Sequence, residues 1–374
     1  MRILHTADLH IGKVFEKVSM LEDQKYILKQ ISDIAIRENV DAVLIAGDVY
    51  QRSAPQAEAM EVFDGFVTAL TDAGKKVFML SGNHDSAQRI SYFSSLIKGA
   101  GVYAAQEFDG HLQTVTLSDK YGSVNIHMLP FVKPVIVKHL LPEAEIDSCT
   151  DAVRAVLDAS PINESERNIL ICHQFAAGAV PSDSEESSVG GLDIVDASVF
   201  DAFDYVAMGH IHKPQKMGRD TLRYAGSPLK YSFSEAAFEK SVVIADVGKK
   251  GSIKLKTVPL KPLRDVRILE GMLDELMALP YSEDLVWATV HDEDVMQDAS
   301  LTLRTVFPNL CRFTVSNSKT KDDLTVLSKE EMEGKSITEL FTDFYQQQNN
   351  NRLPSDKLIA LLTRILDDME VSAE

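Results

Sequence analysis

Five short polar clusters in the sequence carry side chains that could do chemistry. They are Asp8-Leu9-His10, Gly47-Asp48, Gly82-Asn83-His84-Asp85, Cys172-His173 and Gly209-His210-Ile211-His212. Together they hold five of the chain's ten histidines. In extended chain, residues i and i+2 point the same way, so Asp8 and His10 can face one point, as can His210 and His212. Cys172 reads as a small buried residue, which leaves nitrogen and oxygen donors only. A mixed set of carboxylates, an amide and imidazoles suits Mn²⁺, Fe²⁺, Co²⁺ or Zn²⁺. Seven such donors are too many for one ion and suit two, with one carboxylate bridging. Two ions about 3.5–4 Å apart form the arrangement that cleaves phosphate esters: one activates a water, and both neutralise charge on the phosphoryl oxygens. Each cluster alone is weak. A His-x-His is more often structural, and a Gly-Asp after a strand is more often a turn or a helix cap. Their conjunction, each at the end of an apolar run, carries the reading.

Those apolar runs are the elements that must position the clusters. Ile3–Ala7, Ala42–Ala46, Val77–Leu80, Asn168–Cys172, Tyr205–Met208 and Ser241–Ala245 are nearly continuous apolar segments, as expected of strands buried on both faces. Between the first three, residues 24–39 and 56–73 carry helical spacing, through Ile27, Ile31, Ile34 and Ala35, then Met60, Phe63 and Val67. Strand and helix alternate, so the fold class is α/β. Ligands then sit outside the carboxyl ends of the strands, where the clusters lie. Residues 110–131 and 220–260 are richer in strand than helix and predict a second, partly antiparallel sheet. From about residue 265 the texture becomes that of a small α+β unit, with strands at Val266–Leu269, Leu285–Val290 and Cys311–Val315 and helices at 271–279 and 298–306. Two amphipathic helices follow. One carries Ile337, Leu340, Phe341, Phe344 and Tyr345 on a stripe, the other Leu358, Leu361, Leu362, Ile365 and Leu366, with a Gln-Gln-Gln-Asn-Asn-Asn linker between them. They either pack on their own domain or dock another chain, and the polar linker favours docking. Pro181–Ser188, rich in Ser, Asp and Glu, reads as an exposed flexible loop.

The 374 residues carry 38 Lys+Arg against 56 Asp+Glu, a net charge of −18. A protein gripping a polyanion with a broad basic face usually leans the other way, so bound cations or a basic partner must supply positive charge locally. No window approaches the apolar length of a membrane helix. The first ten residues are too polar for a signal peptide. The three cysteines are too scattered for a disulfide framework. A cytoplasmic protein that spans no membrane is expected.

In this order, the five clusters resemble the calcineurin-like metallophosphoesterase superfamily over about residues 1–230. Within it, MRILHTADLHIGK, GDVYQRSAP, LSGNHDS, GHIHKPQ and YAGSPLKYSFSE are similar to the SbcD family, the bacterial nuclease subunits that work with SbcC. The resemblance implies a two-sheet αββα sandwich over 1–264, a capping domain over 265–330, and C-terminal helices over 331–374 that dock an SbcC-like coiled-coil ATPase. It implies two divalent ions, Mn²⁺ first, with Mg²⁺, Co²⁺, Fe²⁺ or Zn²⁺ as alternatives. Asp8, His10, Asp48 and His212 would hold the first ion. Asp48, Asn83, His173 and His210 would hold the second. His84 would act on the scissile phosphate, and Asp85 would either orient its ring or cap a turn. Lys13, Arg52, Arg89 and Lys213 are candidate DNA contacts, and Tyr224, Ser227 and Tyr231 would shape the rim of the site or the path to the cap. Archaeal and eukaryotic relatives carry a further histidine shortly after Gly-Asp, whereas this chain runs Asp48-Val49-Tyr50-Gln51-Arg52 without one.

The activity implied is a double-strand 3′–5′ exonuclease and a single-strand or hairpin endonuclease, in DNA repair, recombination and replication. It would act as a homodimer within a heterotetramer, on the nucleoid when DNA is bound. ATP hydrolysis falls to the partner, because this chain has no Gly-x-x-x-x-Gly-Lys-Ser/Thr loop. A phosphomonoesterase or cyclic-nucleotide phosphodiesterase on the same core is the alternative, favoured by Arg52 near Gly-Asp. A scaffold without catalysis is disfavoured, because all seven ligand positions and His84 are filled.

Overall fold

The computed structural model describes residues 1–92, 94–185, 194–294, 298–318, 336–348 and 352–371. The chain divides into two units, Met1–Val266 and Arg267–Glu374. Among the described residues, twelve strands build the two large sheets of the first unit: Arg2–Thr6 (β1), Ala42–Ile45 (β2), Lys76–Met79 (β3), Val102–Ala104 (β4), Gln113–Asp119 (β5), Gly122–Leu129 (β6), Arg167–His173 (β7), Tyr205–Gly209 (β8), Gln215–Met217 (β9), Arg219–Tyr224 (β10), Ser241–Val247 (β11) and Ile253–Pro259 (β12). One six-stranded sheet runs β12-β11-β1-β2-β3-β4 and the other β9-β10-β8-β7-β6-β5. At the centre of each, the strands are parallel, β1 with β2 and β3 in one and β7 with β8 in the other.

The continuous apolar runs have a direct cause in the packing. Alternate residues of one strand serve two cores. Ile169 and Ile171 join Ile3, Leu44, Phe78 and Ala207 between the two sheets. Leu170 and Cys172 point outward into a cluster with Val153 and Val156 of the helix Cys149–Ala159. On the other sheet, the helices Leu21–Arg37 and Ala57–Asp72 bury Ile27, Leu28, Ile31 and Ile34, then Phe63, Phe66 and Leu70. Each fully buried Leu, Ile, Val or Phe is worth about 1.5–3 kcal/mol.

Residues 220–260 do not all join the second sheet, as their strand content suggested. Arg219–Tyr224 does, but β11 and β12 pair antiparallel and extend the first sheet beyond β1. Without that hairpin, β1 would be an open edge beside a buried core.

In the second unit, strands Val266–Gly271, Leu285–Val290 and Leu310–Val315 form a three-stranded sheet. Helices Leu273–Met277 and Ala299–Leu303 close a core of Leu276, Val286, Ala288, Leu303 and Phe307. Two further helices, Ile337–Gln348 and Asp356–Val371, follow. Gln346–Gln348 of the expected linker are helical, and Asn349–Asn351 lie outside the described residues. The division places the C-terminal helices in one unit with the small sheet. No described helix is long and apolar enough to cross a membrane.

Candidate metal centre

All five clusters lie at the carboxyl ends of parallel strands, three on one sheet and two on the other. Asp8 and His10 follow β1, Asp48 follows β2, and Asn83 and His84 follow β3, while His173 ends β7 and His210 and His212 follow β8. The alternation of an extended chain does not aim them, as the sequence suggested, because the strands have already ended. Backbone reversals do. Asp8, His10, Asp48 and His210 hold φ of 54, 45, 48 and 103°, a region that L-residues with side chains avoid. Such residues cost about 1–3 kcal/mol each and persist only where their surroundings over-determine them. Here adjacent loops zip together: Asp8 N donates to Gly47 O (3.1 Å), His10 N to Asp48 O (2.9 Å) and Ile11 N to Val49 O (2.9 Å). Two glycines permit the close approach. A Cβ on Gly209 would stand 1.8 Å from Ala46 O on the opposite sheet, and one on Gly82 would stand 2.1 Å from Asp48 Oδ1.

The candidate ligand atoms crowd together, nitrogen against oxygen and nitrogen against nitrogen. His173 Nδ1 donates to Ala46 O (2.8 Å), which leaves its Nε2 3.1 Å from Asn83 Oδ1 and 3.3 Å from Asp48 Oδ2. His210 Nδ1 also reaches Asn83 Oδ1, at 3.0 Å. On the other side, His10 Nε2 and His212 Nε2 lie 3.0 Å apart, and His10 Nε2 is 3.6 Å from Asp48 Oδ2. Asp8 Oδ1 accepts the His210 amide (2.8 Å), while Asp8 Oδ2 is buried with no hydrogen-bond partner among the described residues. Lone pairs converging in this way fit cations. Ligand atoms of Asp8, His10 and His212 lie within 4.8 Å of one another, as do those of Asp8, Asp48 and His173, and those of His10, Asp48 and His84. The sets overlap: Asp8 belongs to the first and second, His10 to the first and third, and Asp48 to the second and third.

Burial and neighbouring charge perturb these groups strongly, in both directions. Burial pushes the Asp8 carboxyl up to about 6. Burial opposes the charge on Asp48 too, but His173, His10 and His84 outweigh it and hold that carboxyl well below its usual range. His173 rises to about 9: burial works against its charge, and Asp48 and Asp8 overcome it. Burial, with His173 beside it, lowers His210 to about 3.

Residues 1–214 match the calcineurin-like phosphoesterase family, and residues 262–349 match the type 5 capsule protein repressor C-terminal domain. The SbcD subunit of the nuclease SbcCD from Staphylococcus epidermidis is 30% identical over 98% of this chain and 99% of its own. Its namesake from Staphylococcus saprophyticus is 28% identical over 98% and 99%. The chain belongs to the calcineurin-like phosphoesterases, in the SbcD family. A solved dimetal phosphatase from Danio rerio overlaps 70% of this chain and 98% of its own, at 12% identity and a TM-score of 0.41.

Around this family's metal pocket, several side chains stand elsewhere than the sequence suggested. Asp85 does not touch the His84 ring. Its carboxylate accepts the amides of Val49 (3.0 Å), Tyr50 (2.9 Å) and Gly82 (3.1 Å), so it ties the loop after β2 to the loop after β3. The turn-capping alternative is the one observed. His84 Nδ1 instead faces Gln51 O at 3.3 Å, and the His84 amide donates to Asp48 Oδ1 at 3.0 Å. Tyr224, Ser227 and Tyr231 are buried and form no rim. Tyr231 donates to Leu9 O and sets its ring edge-on to His10 and His212, with centroids 5.5 and 5.7 Å away. Tyr224 donates to Gln174 O at 2.8 Å.

Of the candidate phosphate contacts, Arg52 and Arg89 are exposed. Lys13 is half-buried, with Nζ 5.9 Å from the Tyr231 ring, and Lys213 Nζ lies 5.0 Å over Phe238. The loop from Pro181 is not simply exposed: Ser182, Ser184 and Glu185 are half-buried and bonded into the site. Glu186, Ser187 and Ser188 lie outside the described residues. Sequence reasoning also missed Gln24, Glu235 and Lys240, all buried. Gln24 Nε2 donates to His10 O (2.7 Å) from the buried face of its helix, where Asp23 and Ser32 are the other polar residues among Ile27, Leu28, Ile31 and Ile34.

Proposed function

We propose that this protein is a DNA nuclease that hydrolyses phosphodiesters by a two-metal mechanism, as the catalytic subunit of an assembly with an SbcC-type ATPase. The observation that carries it is the buried pocket in which Asp48 Oδ2, Asn83 Oδ1, His173 Nε2 and the paired Nε2 atoms of His10 and His212 face one another at 3.0–3.6 Å, beside Asp8 Oδ2, unpartnered among the described residues. Asp8, His10, Asp48 and His212 would hold one ion, and Asp48, Asn83, His173 and His210 the other. Mn²⁺ suits this mixed nitrogen and oxygen set. Bound there, the ions supply an activated water and neutralise charge on the phosphoryl oxygens.

The chain's own residues do the rest. Asp48 ties the two halves of the pocket together. His84 is held at its amide by Asp48 and at Nδ1 by the Gln51 carbonyl. That leaves Nε2 to meet the phosphate or to protonate the leaving oxygen. Lys13, Arg52, Arg89 and Lys213 contribute contacts to the DNA backbone, and the remaining grip comes from the ions and the partner. The C-terminal helices support a docking role. None of their residues with a described side chain is buried, and Ile337 (60% exposed), Phe344 (51%), Leu361 (52%) and Ile365 (47%) leave apolar surface for a coiled coil. We infer exonuclease and hairpin-opening activities, dimerisation within a heterotetramer, and a cytoplasmic site of action.

The test compares a hairpin DNA with p-nitrophenyl phosphate mono- and diesters, in Mn²⁺, with and without the ATPase subunit and ATP. Hairpin opening that the partner stimulates is expected. Ester turnover exceeding DNA cleavage under all conditions would move the assignment to a small-substrate phosphoesterase.

A further inference from the structure

Behind the His212 imidazole lies a buried ionic cluster with no part in the chemistry described so far. Glu235 has no exposure to solvent. Its Oε1 accepts Ser184 Oγ (2.6 Å) and Tyr231 N (3.1 Å), and its Oε2 accepts Lys240 Nζ (2.5 Å). Lys240 Nζ, also buried, spends its other protons on His212 O (2.8 Å) and Ser227 Oγ (2.8 Å). A buried ion pair is a poor source of stability. Removing two charges from water costs several kcal/mol per ion, and apolar residues of the same volume often do as well or better. Its presence calls for a reason other than packing.

The reason lies in what the cluster leaves open on His212. The His212 amide donates to Glu185 Oε1 (2.6 Å), and its carbonyl accepts Lys240. Nδ1 faces Ser184 Oγ at 2.6 Å, and Oγ in turn faces Glu235 Oε1 at 2.6 Å. A carboxylate only accepts, so the hydroxyl proton goes to Glu235, and Ser184 Oγ must accept from His212 Nδ1–H. In the neutral ring the proton is thereby fixed on Nδ1 and the lone pair on Nε2, the atom that faces His10 Nε2. Every polar atom of His212 except Nε2 is held by groups outside the ligand set, and Nε2 meets only the fellow ligand His10. Ser184 and Glu185 come from the segment before residues 186–193, so the same bonds tether that segment to the pocket.

We propose that Glu235 is a positioning residue that, through Ser184, fixes the tautomer and orientation of His212 for the first ion, with Lys240 as its counter-charge. This rests on the two-metal reading and specifies how one ligand is prepared. Partners of this kind orient metal-bound histidines, and their loss typically lowers metal affinity 10- to 100-fold.

Mn²⁺ titration of the full chain, followed by calorimetry and electron paramagnetic resonance, tests it. Ser184→Ala removes the relay without burying a lone charge. It should weaken one Mn²⁺ site about 10- to 100-fold, leave the other unchanged, and lose the spin-coupled signal of the ion pair at sub-saturating metal. Ser184→Thr keeps the hydroxyl and should restore both. Glu235→Gln combined with Lys240→Met removes both charges together, so that neither is left buried alone. Provided circular dichroism shows it folded, it should show the same one-site defect. Ser184→Ala with both sites at native affinity would overturn the positioning role while leaving the two-metal reading intact. His212→Ala with two native-affinity sites would overturn the metal reading itself.

Discussion

The sharpest division between a chemical and an architectural role falls on Asp85, and its substitution can be worked through. Its carboxylate accepts three backbone amides, those of Val49, Tyr50 and Gly82. Asp85→Ala strands all three donors. A stranded buried donor costs about 1–3 kcal/mol, and water can reach this half-buried site, so the low end applies and the sum is about 3 kcal/mol. In a domain of this size each kcal/mol moves Tm by about 2–4 °C, so Tm should fall roughly 6–12 °C. Asp85→Asn keeps one oxygen but turns an N–H toward an amide, and should lose about half as much. The bonds join the loop bearing Asp48 to the loop bearing Asn83, so metal affinity should fall with stability. Displacing reacting groups by about 1 Å costs about 10²-fold in rate. Scanning calorimetry, Mn²⁺ titration and hairpin cleavage read all three quantities. If Asp85→Asn left Tm and metal binding untouched and shifted only the pH profile of cleavage, the carboxylate would be acting on His84, and this reasoning would fail.

Three further outcomes follow from the geometry. Gly82→Ala places a methyl 2.1 Å from Asp48 Oδ1, and should abolish binding of at least one ion and lower cleavage at least about 100-fold; retained cleavage would show that the loop yields cheaply. His84→Ala should lower cleavage about 10²–10⁴-fold with two ions still bound by elemental analysis; loss of an ion would make His84 a ligand. The third outcome is a pH dependence. Burial raises Asp8 to about 6, above an ordinary carboxyl near about 4. Between those values the folded, ion-free chain keeps a proton that the unfolded chain has shed, so this group's contribution to stability falls as pH rises through that window. A bound cation takes the proton's place, so the Tm gained on adding Mn²⁺ should grow from pH 5 to pH 7.5. A gain that stays flat or shrinks would contradict the placement of Asp8.

What the sequence made legible was the local physics. The strand Ala42–Ile45 and residues Ile169–Cys172 of β7 read as buried because both faces of each are covered, which leaves no polar face. The ligand clusters read as a site because each follows such a strand. What stayed hidden was non-local. Asp8 and His10 converge through left-handed backbone at both residues, which no spacing announces, since extended alternation gives the same expectation by a different route. The hairpin of Ser241–Pro259 chose the first sheet because β1 would otherwise be an open edge, a fact that only the assembled sheet contains. Ser182–Glu185 reads as solvated by composition, yet Ser184 bonds Glu235, 51 residues away, and Glu185 bonds His212, 27 residues away. Asp85 sits beside His84 in sequence, which suggested contact, but its carboxylate turns toward backbone amides.

The central claim is that Asp48 stands between two cations. Anomalous diffraction at the manganese edge, from crystals grown with Mn²⁺, tests it most directly. Two peaks about 3.5–4 Å apart are expected, one by His10 and His212, the other by Asn83, His173 and His210, with Asp48 touching both. A single peak, or none beside Asn83 and His173, would contradict it.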